Sequence, residues 1–274
     1  TYLNEQATDR TLFTWFLEEY LGKGLLTESG PRWTARRKFL SHTFDTRLFN
    51  QFKPTIDDYS RQLIDELNHI VENSNGLLED LDKFMSELSI NVLLDTIMGI
   101  DAKSERLLCK RYAEATELCV LSLYERVYKP WIWLNCLYFR LTREGKRVKQ
   151  AVDFVHNFAD TVIAKREQKL LQTKAKAATA ERIVEHAISN GKLHERTTNE
   201  EQNGNGFCFE ARQRKRKPFL DNLLELHYAN SNLFTKQNIR DEVNTFLTAG
   251  HHTTSIALTF TVYLLGLHPK IQEQ

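Results

Sequence analysis

Proline is scarce in this 274-residue chain: five occur, at positions 31, 54, 130, 218 and 269, each between periodic stretches. With so few helix breakers, weak strand signals and no internal repeat, the chain is predicted to be mainly α-helical, its prolines marking helix boundaries. An excess of one charge is lacking too. Lys and Arg number 37 against 36 Asp and Glu, a formal net charge of +1, which gives no overall bias toward nucleic acid or acidic partners. Cysteine is limited to Cys109, Cys119, Cys136 and Cys208, without a CxxC pair. That usage fits free thiols in a reducing compartment and supplies no zinc site. Neither an initiator methionine nor a signal-peptide pattern stands at Thr1, and about one helical turn follows Pro269. The chain is therefore expected to be an internal piece of a longer protein.

Residues 9–21 read as a short amphipathic helix closed by Gly22 and Gly24, followed by a turn-rich connector to Gly30. A very basic helix is expected from Pro31 to about Thr43, carrying Trp33, Arg36, Arg37 and Lys38. Further helices are predicted from Pro54 to Val71, over 77–98 with Gly99 as its stop, over 103–127, and over 143–172. Residues 173–217 are polar, with a helical stretch near Ala180–Ser189, and read as a long surface insertion ending in the basic run Arg212–Lys217. Such a run can serve nuclear import or nucleic-acid binding, but without an aromatic platform it reads as a solvated loop.

The longest pattern, 235–267, reads as one helix crossing the domain. Thr235 is its cap with Asn238 three residues on, and His268-Pro269 is its end. Ile239, Val243, Phe246 and Leu247 form an apolar stripe, set against Arg240, Asp241 and Glu242 as the polar side. Its second half, from Ile256 to Leu267, is apolar all round and is expected to be surrounded by neighbours. The centre, Thr248-Ala249-Gly250-His251-His252-Thr253-Thr254, is weak helix, where threonine hydroxyls can bond back to carbonyls one turn earlier. A small-residue gap beside hydroxyls and imidazoles suits a ligand; the plainer reading is a kinked core helix. Phe246–Leu267 is also near the length of a membrane span, against which the two histidines argue.

Ala249-Gly250-x-x-Thr253-Thr254 resembles the oxygen-groove signature of the cytochrome P-450 central helix, and 242–254 resembles the longer motif of its family-4 branch. Trp33-x-x-x-Arg37 resembles the pair that holds a haem propionate. Nearly the whole chain follows that family's order of elements, roughly the middle half of a full enzyme, as an incomplete cytochrome P-450 domain with helices around 235–267. The resemblance implies haem b, dioxygen, a lipophilic substrate such as a fatty acid, and electrons from NADPH through a flavoprotein reductase. It implies the cytosolic face of the endoplasmic reticulum membrane for the full-length parent, and no nucleic acid. Ala249 and Gly250 would open the dioxygen groove, and the Thr253 hydroxyl would help deliver protons to the dioxygen being cleaved. Arg36 and Lys38 would lie near the face that meets the electron donor.

Departures from the family pattern limit this expectation. His252 stands where the family has an acid; an imidazole can still shuttle protons, but it gives them from a cation or a tautomer, so less efficient O–O cleavage is expected. No cysteine has glycine two residues after it, so the haem-ligating cysteine loop is absent, and Glu144-x-x-Arg147 precedes the central helix rather than following it. The chain alone is expected to be inactive. A non-enzymatic helical interaction protein and a truncated inactive product are the alternatives. Many family-4 members esterify haem through a glutamate where this chain has Ala249. Acid–solvent extraction of the haem-loaded full-length protein is thus expected to remove all haem; haem retained on the polypeptide would refute a purely non-covalent attachment.

Overall fold

The computed structural model describes residues 12–41, 43–44, 46–74, 80–189, 217–232 and 234–273. They form helices α1 (Leu12–Leu21), α2 (Gly30–Ser41), α3 (Thr46–Asn73), α4 (Leu81–Leu93), α5 (Arg106–Tyr128), α6 (Asn135–Leu141), α7 (Arg143–Ser189), α8 (Phe219–Ala229), α9 (Lys236–Leu267) and α10 (Pro269–Gln272). No strand occurs among the described residues.

Local signals set most boundaries. The Thr235 hydroxyl takes the Asn238 N–H while Asn238 Oδ1 takes the Thr235 N–H, so two otherwise orphan donors are satisfied at the start of α9. Pro269 ends that helix by starting the next one. α4 passes into a single wide π turn, Leu94–Met98, and stops at Gly99, whose φ of 66° is the left-handed conformation glycine adopts without strain.

Two boundaries differ from the sequence pattern. Pro54 lies inside α3, which begins at Thr46. The missing N–H costs one ladder bond, yet the turns on either side continue the helix. α7 runs unbroken to Ser189, so 173–189 is helical rather than irregular; Ala, Lys, Gln and Glu make this stretch a strong helix former despite its polarity. Residues 190–216, with most of the basic run, lie outside the described residues.

α9 packs mainly on α4, and α7 packs on α5 and α6. The core between them holds Leu21, Ile90, Leu94, Met98, Tyr112, Val155, Phe219, Leu223, Ile239, Val243 and Leu247, all nearly solvent-free. A guanidinium is part of it: Arg126 is 2% exposed, stacked over Phe16 and Tyr138, with Nη2 donating to the Trp133 carbonyl at 3.2 Å. Against expectation, the second half of α9 is open. Ile256, Phe260, Tyr263, Leu264 and Leu267 are exposed, because the described residues supply no layer over that side. No helix among the described residues is long and apolar enough to cross a membrane.

One polar fastener crosses this core. Arg166 of α7 grips both oxygens of Asp221 in α8, at 2.6 and 2.7 Å, and donates to the Gly99 carbonyl at 2.7 Å. Both side chains are largely buried. Truncation of Asp221 leaves a buried, unpaired guanidinium, for which the usual cost is about 3–5 kcal/mol. Asp221→Ala is therefore expected to lower the urea midpoint by a corresponding amount at unchanged m-value. A variant as stable as the parent would show the fork to be dispensable.

Candidate functional site

The middle of α9 has two unlike faces. At 100° per residue, Glu242, Ala249, Thr253, Ile256 and Phe260 fall along one stripe. Ala249 and Thr253 are exposed on it, and the Thr253 hydroxyl donates back to the Ala249 carbonyl at 2.6 Å. Gly250 faces elsewhere: a Cβ there would come within 2.9 Å of Leu93, so this glycine permits close packing on α4. The small residue on the open stripe is Ala249. His252, half-buried next to Thr253, makes no side-chain hydrogen bond among the described residues.

The opposite face is buried and polar. Thr248 Oγ1 lies 2.8 Å from the Tyr20 hydroxyl and 3.4 Å from that of Tyr112. Burial raises the pKa of both phenols, that of Tyr112 to about 12, so they remain protonated donors. His251 Nε2 sits 2.7 Å from Ser86 Oγ, while Ser89 donates to the His251 carbonyl at 3.2 Å. Burial, then the neighbouring His252, lowers the His251 pKa to about 4. The ring is therefore neutral at ordinary pH. Nδ1 is buried without a partner, which fits a tautomer with the proton on Nε2, donated to Ser86. Of the adjacent histidines, His251 is structural, and His252 lies beside the open stripe.

Two turns before Ala249, Glu242 is fully buried rather than solvated. Its Oε1 lies 3.1 Å from the Arg36 guanidinium and its Oε2 accepts the Leu25 N–H at 3.1 Å. Arg36 also donates to the Lys23 carbonyl. Asp241, likewise buried, takes the Lys23 N–H and the Gln237 amide. Gly22 and Gly24 make this approach possible, since a Cβ on Gly24 would fall 2.2 Å from Thr245 Oγ1 and 2.7 Å from the Asp241 carbonyl. Desolvation dominates Glu242, raising its pKa to about 7 in spite of Arg36. Sequence reasoning missed this because Arg240, Asp241 and Glu242 read as one polar side. Three consecutive residues span about 200° of a helix, too wide an arc for one solvent face of a helix enclosed by neighbours. Arg240 alone fits that role, forking onto Asp160 at 2.6 and 2.5 Å.

Trp33 and Arg37 do share a face of α2, with the Arg37 guanidinium stacked 5.0 Å from the Trp33 ring. The indole N–H donates to the Leu25 carbonyl at 3.1 Å, so the two donors do not aim at one carboxylate. Arg37 is exposed and makes no ion pair among the described residues. Arg36 is engaged by Glu242, whereas Arg32 and Lys38 are exposed.

The open stripe suits a flat apolar group with acidic substituents. Ala249 leaves room, Ile256 and Phe260 give apolar contact, and α2, tied to the same stripe at Glu242, brings a free cation. These apolar residues and that cation fit haem. Burial pushes Cys109 and Cys119 each up to about 12, which keeps them as thiols and unsuited to bind iron as thiolates. The Cys136 side chain and Cys208 lie outside the described residues. No cluster of three or more metal-ligating side chains occurs among the described residues. A cavity of about 570 Å³, lined by Tyr59, Phe84, Asn91 and Arg106 among others, shares no residue with the stripe.

The sequence matches the Cytochrome P450 family profile over residues 3–274. The chain belongs to the cytochrome P450 family. Similar curated proteins include cytochrome P450 4V2 of Homo sapiens, 27% identical over 272 residues, which covers 99% of this chain and 46% of that protein. Probable cytochrome P450 4s3 of Drosophila melanogaster is 27% identical, with 99% and 49% covered. Cytochrome P450 4F5 of Rattus norvegicus is 27% identical, with 98% and 45% covered. The chain thus spans a little under half the length of the cytochromes P450 it matches.

Two buried groups give this P450 chain opposing pH dependences. Folded Glu242 keeps its proton to pH about 7, against an ordinary value of 4.5, so the folded state binds more protons and stability falls as pH rises through that window. Folded His251 refuses a proton down to about 4, against 6.5, so stability rises with pH between those values. In the parent the two nearly cancel from pH 4.5 to 6.5. Glu242→Gln is expected to expose the histidine slope, so that its stability climbs faster than the parent's by about 1.4 kcal/mol per pH unit. Denaturant titrations at a series of pH values test this, and parallel curves would contradict the buried state of Glu242.

Proposed function

We propose that the full-length protein is a haem-dependent monooxygenase that inserts one oxygen atom from dioxygen into an apolar substrate. The exposed Ala249–Thr253 stripe, beside a buried and fastened opposite face, is the observation that supports it. Haem, when bound, supplies the redox chemistry that activates dioxygen. Arg37, stacked on Trp33, would hold a haem carboxylate; Trp33 would act as the platform, since its N–H is held by Leu25. Ala249 would admit dioxygen at the stripe. Thr253 keeps its proton on the Ala249 carbonyl and would release it by a rotation about χ1, with His252 next to it to return a proton.

The family-4 likeness supports fatty acids or similar lipophilic compounds as the substrate class. It likewise supports an NADPH-dependent flavoprotein reductase as electron source and the endoplasmic reticulum membrane as location. Arg32 and Lys38, exposed on α2, would face an acidic surface of that reductase.

Two measurements on the full-length protein test the reading. One haem per chain is expected, and a protein that takes up none would instead be a helical interaction protein. Thr253→Ala is expected to keep consuming NADPH while product falls and hydrogen peroxide rises, and His252→Asp to shift the balance toward product. Unchanged peroxide in both variants would remove Thr253 and His252 from proton delivery.

A further inference from the structure

The contacts around Glu242 form an unbroken series from the central helix to an exposed cation. Glu242 Oε2 takes the Leu25 N–H at 3.1 Å, and the carbonyl of the same residue takes the Trp33 indole N–H at 3.1 Å. Arg37 lies on the Trp33 ring at 5.0 Å. The connector between α1 and α2 is thus pinned on both sides of one peptide residue. It cannot shift along α9 without breaking a hydrogen bond to a carboxylate that has no access to water. Arg36 closes the same loop from the other direction, bonding Glu242 at 3.1 Å and the Lys23 carbonyl, so the α2 backbone is held one residue before Arg37. Gly22 and Gly24 leave no slack, since Asp241 and Thr245 fill the space their side chains would take.

We infer that Glu242 is a positioning residue for the haem-carboxylate corner: through Leu25 and Trp33, and through Arg36, it sets where the Arg37 guanidinium points. The inference deepens the haem reading above and rests on it. Nothing in the Ala249–Thr254 signature marks Glu242 for this task, because it acts two turns away and touches no cofactor. A glutamine keeps the acceptor for the Leu25 N–H and the length of the side chain. A leucine keeps the volume but removes the oxygens that the Leu25 N–H and the Arg36 guanidinium bond to on Glu242.

The test is haem transfer from the full-length holoprotein to an apo-haem acceptor protein in excess, followed as a dissociation rate. Arg37→Ala is expected to speed haem loss about tenfold, the usual effect of removing one charged hydrogen bond. Glu242→Leu is expected to do the same in the parent, but to add less than about twofold in the Arg37→Ala background, because both changes remove one contact series. Glu242→Gln should retain haem within about twofold of the parent, a rescue that a simple loss of packing would not give. Asp221→Asn, which weakens the clasp on Arg166 and not the Glu242 series, serves as control and should leave the rate unchanged. If Arg37→Ala has no effect, the haem-corner reading itself fails. If Arg37→Ala acts but Glu242→Leu multiplies with it fully, or Glu242→Gln behaves as Glu242→Leu, Glu242 supports stability only and the positioning role is overturned.

Discussion

A carboxylate removed wholly from water has to be met by donors, and at Glu242 those donors come from the connector and α2, more than 200 residues earlier in the chain. This constraint fixes the connector after α1 and the Arg36 turn of α2 against α9. Had Glu242 been solvated, the Arg36 guanidinium would lack its buried carboxyl partner on α9. Two glycines, a buried Asp241 and the Arg36 guanidinium are arranged around it, and desolvation still leaves the carboxyl short of full compensation. Such a contact is a weak source of net stability and a strong source of register, because a displaced arrangement strands a charge.

Farther along α9 the same logic divides the helix lengthwise. Thr248, His251 and Ser255 turn inward, and the first two meet Tyr20, Tyr112 and Ser86. Ala249, Thr253 and Ile256 turn outward. Thr248 and His251 bond to other elements, which resists rotation of the helix about its axis. The outer face is left to small and apolar residues. Helix-breaking composition at the centre is therefore tolerated because tertiary contacts, rather than propensity, hold this segment.

How much was legible in the sequence depended on how local the cause was. The Thr235–Asn238 cap, the Gly99 stop and the Pro269 boundary follow from chemistry within a few residues, and the pattern shows them directly. Thr253 bonding back to Ala249 was legible for the same reason. Pro54 within α3 was not, because a helix tolerates one lost bond when both flanks are helical. The helical course of 173–189 was hidden by its polarity, which marks exposure rather than irregularity. In the candidate site, the separate fates of His251 and His252 and the burial of Glu242 depended on which elements pack where. A single sequence carries no periodic sign of that. The Trp33–Arg37 spacing showed a shared face, but the Leu25 carbonyl that takes the indole N–H is a tertiary neighbour.

The wide turn at Leu94–Met98 has a consequence for ancestry. A π turn is an α-helix that has accommodated one additional residue, here closed by the Gly99 and Ile100 N–H groups on the Leu94 carbonyl. A cousin with regular winding at this point would be one residue shorter between α4 and the Gly99 turn. The gap in any pairing of the two belongs at 94–98, and not in the connectors on either side. Loss of that residue would leave a longer uninterrupted helix, yet swing everything after it by about 100° around the axis. The glycine carbonyl gripped by Arg166 would then face away from its clasp, so the extra residue and that clasp depend on each other.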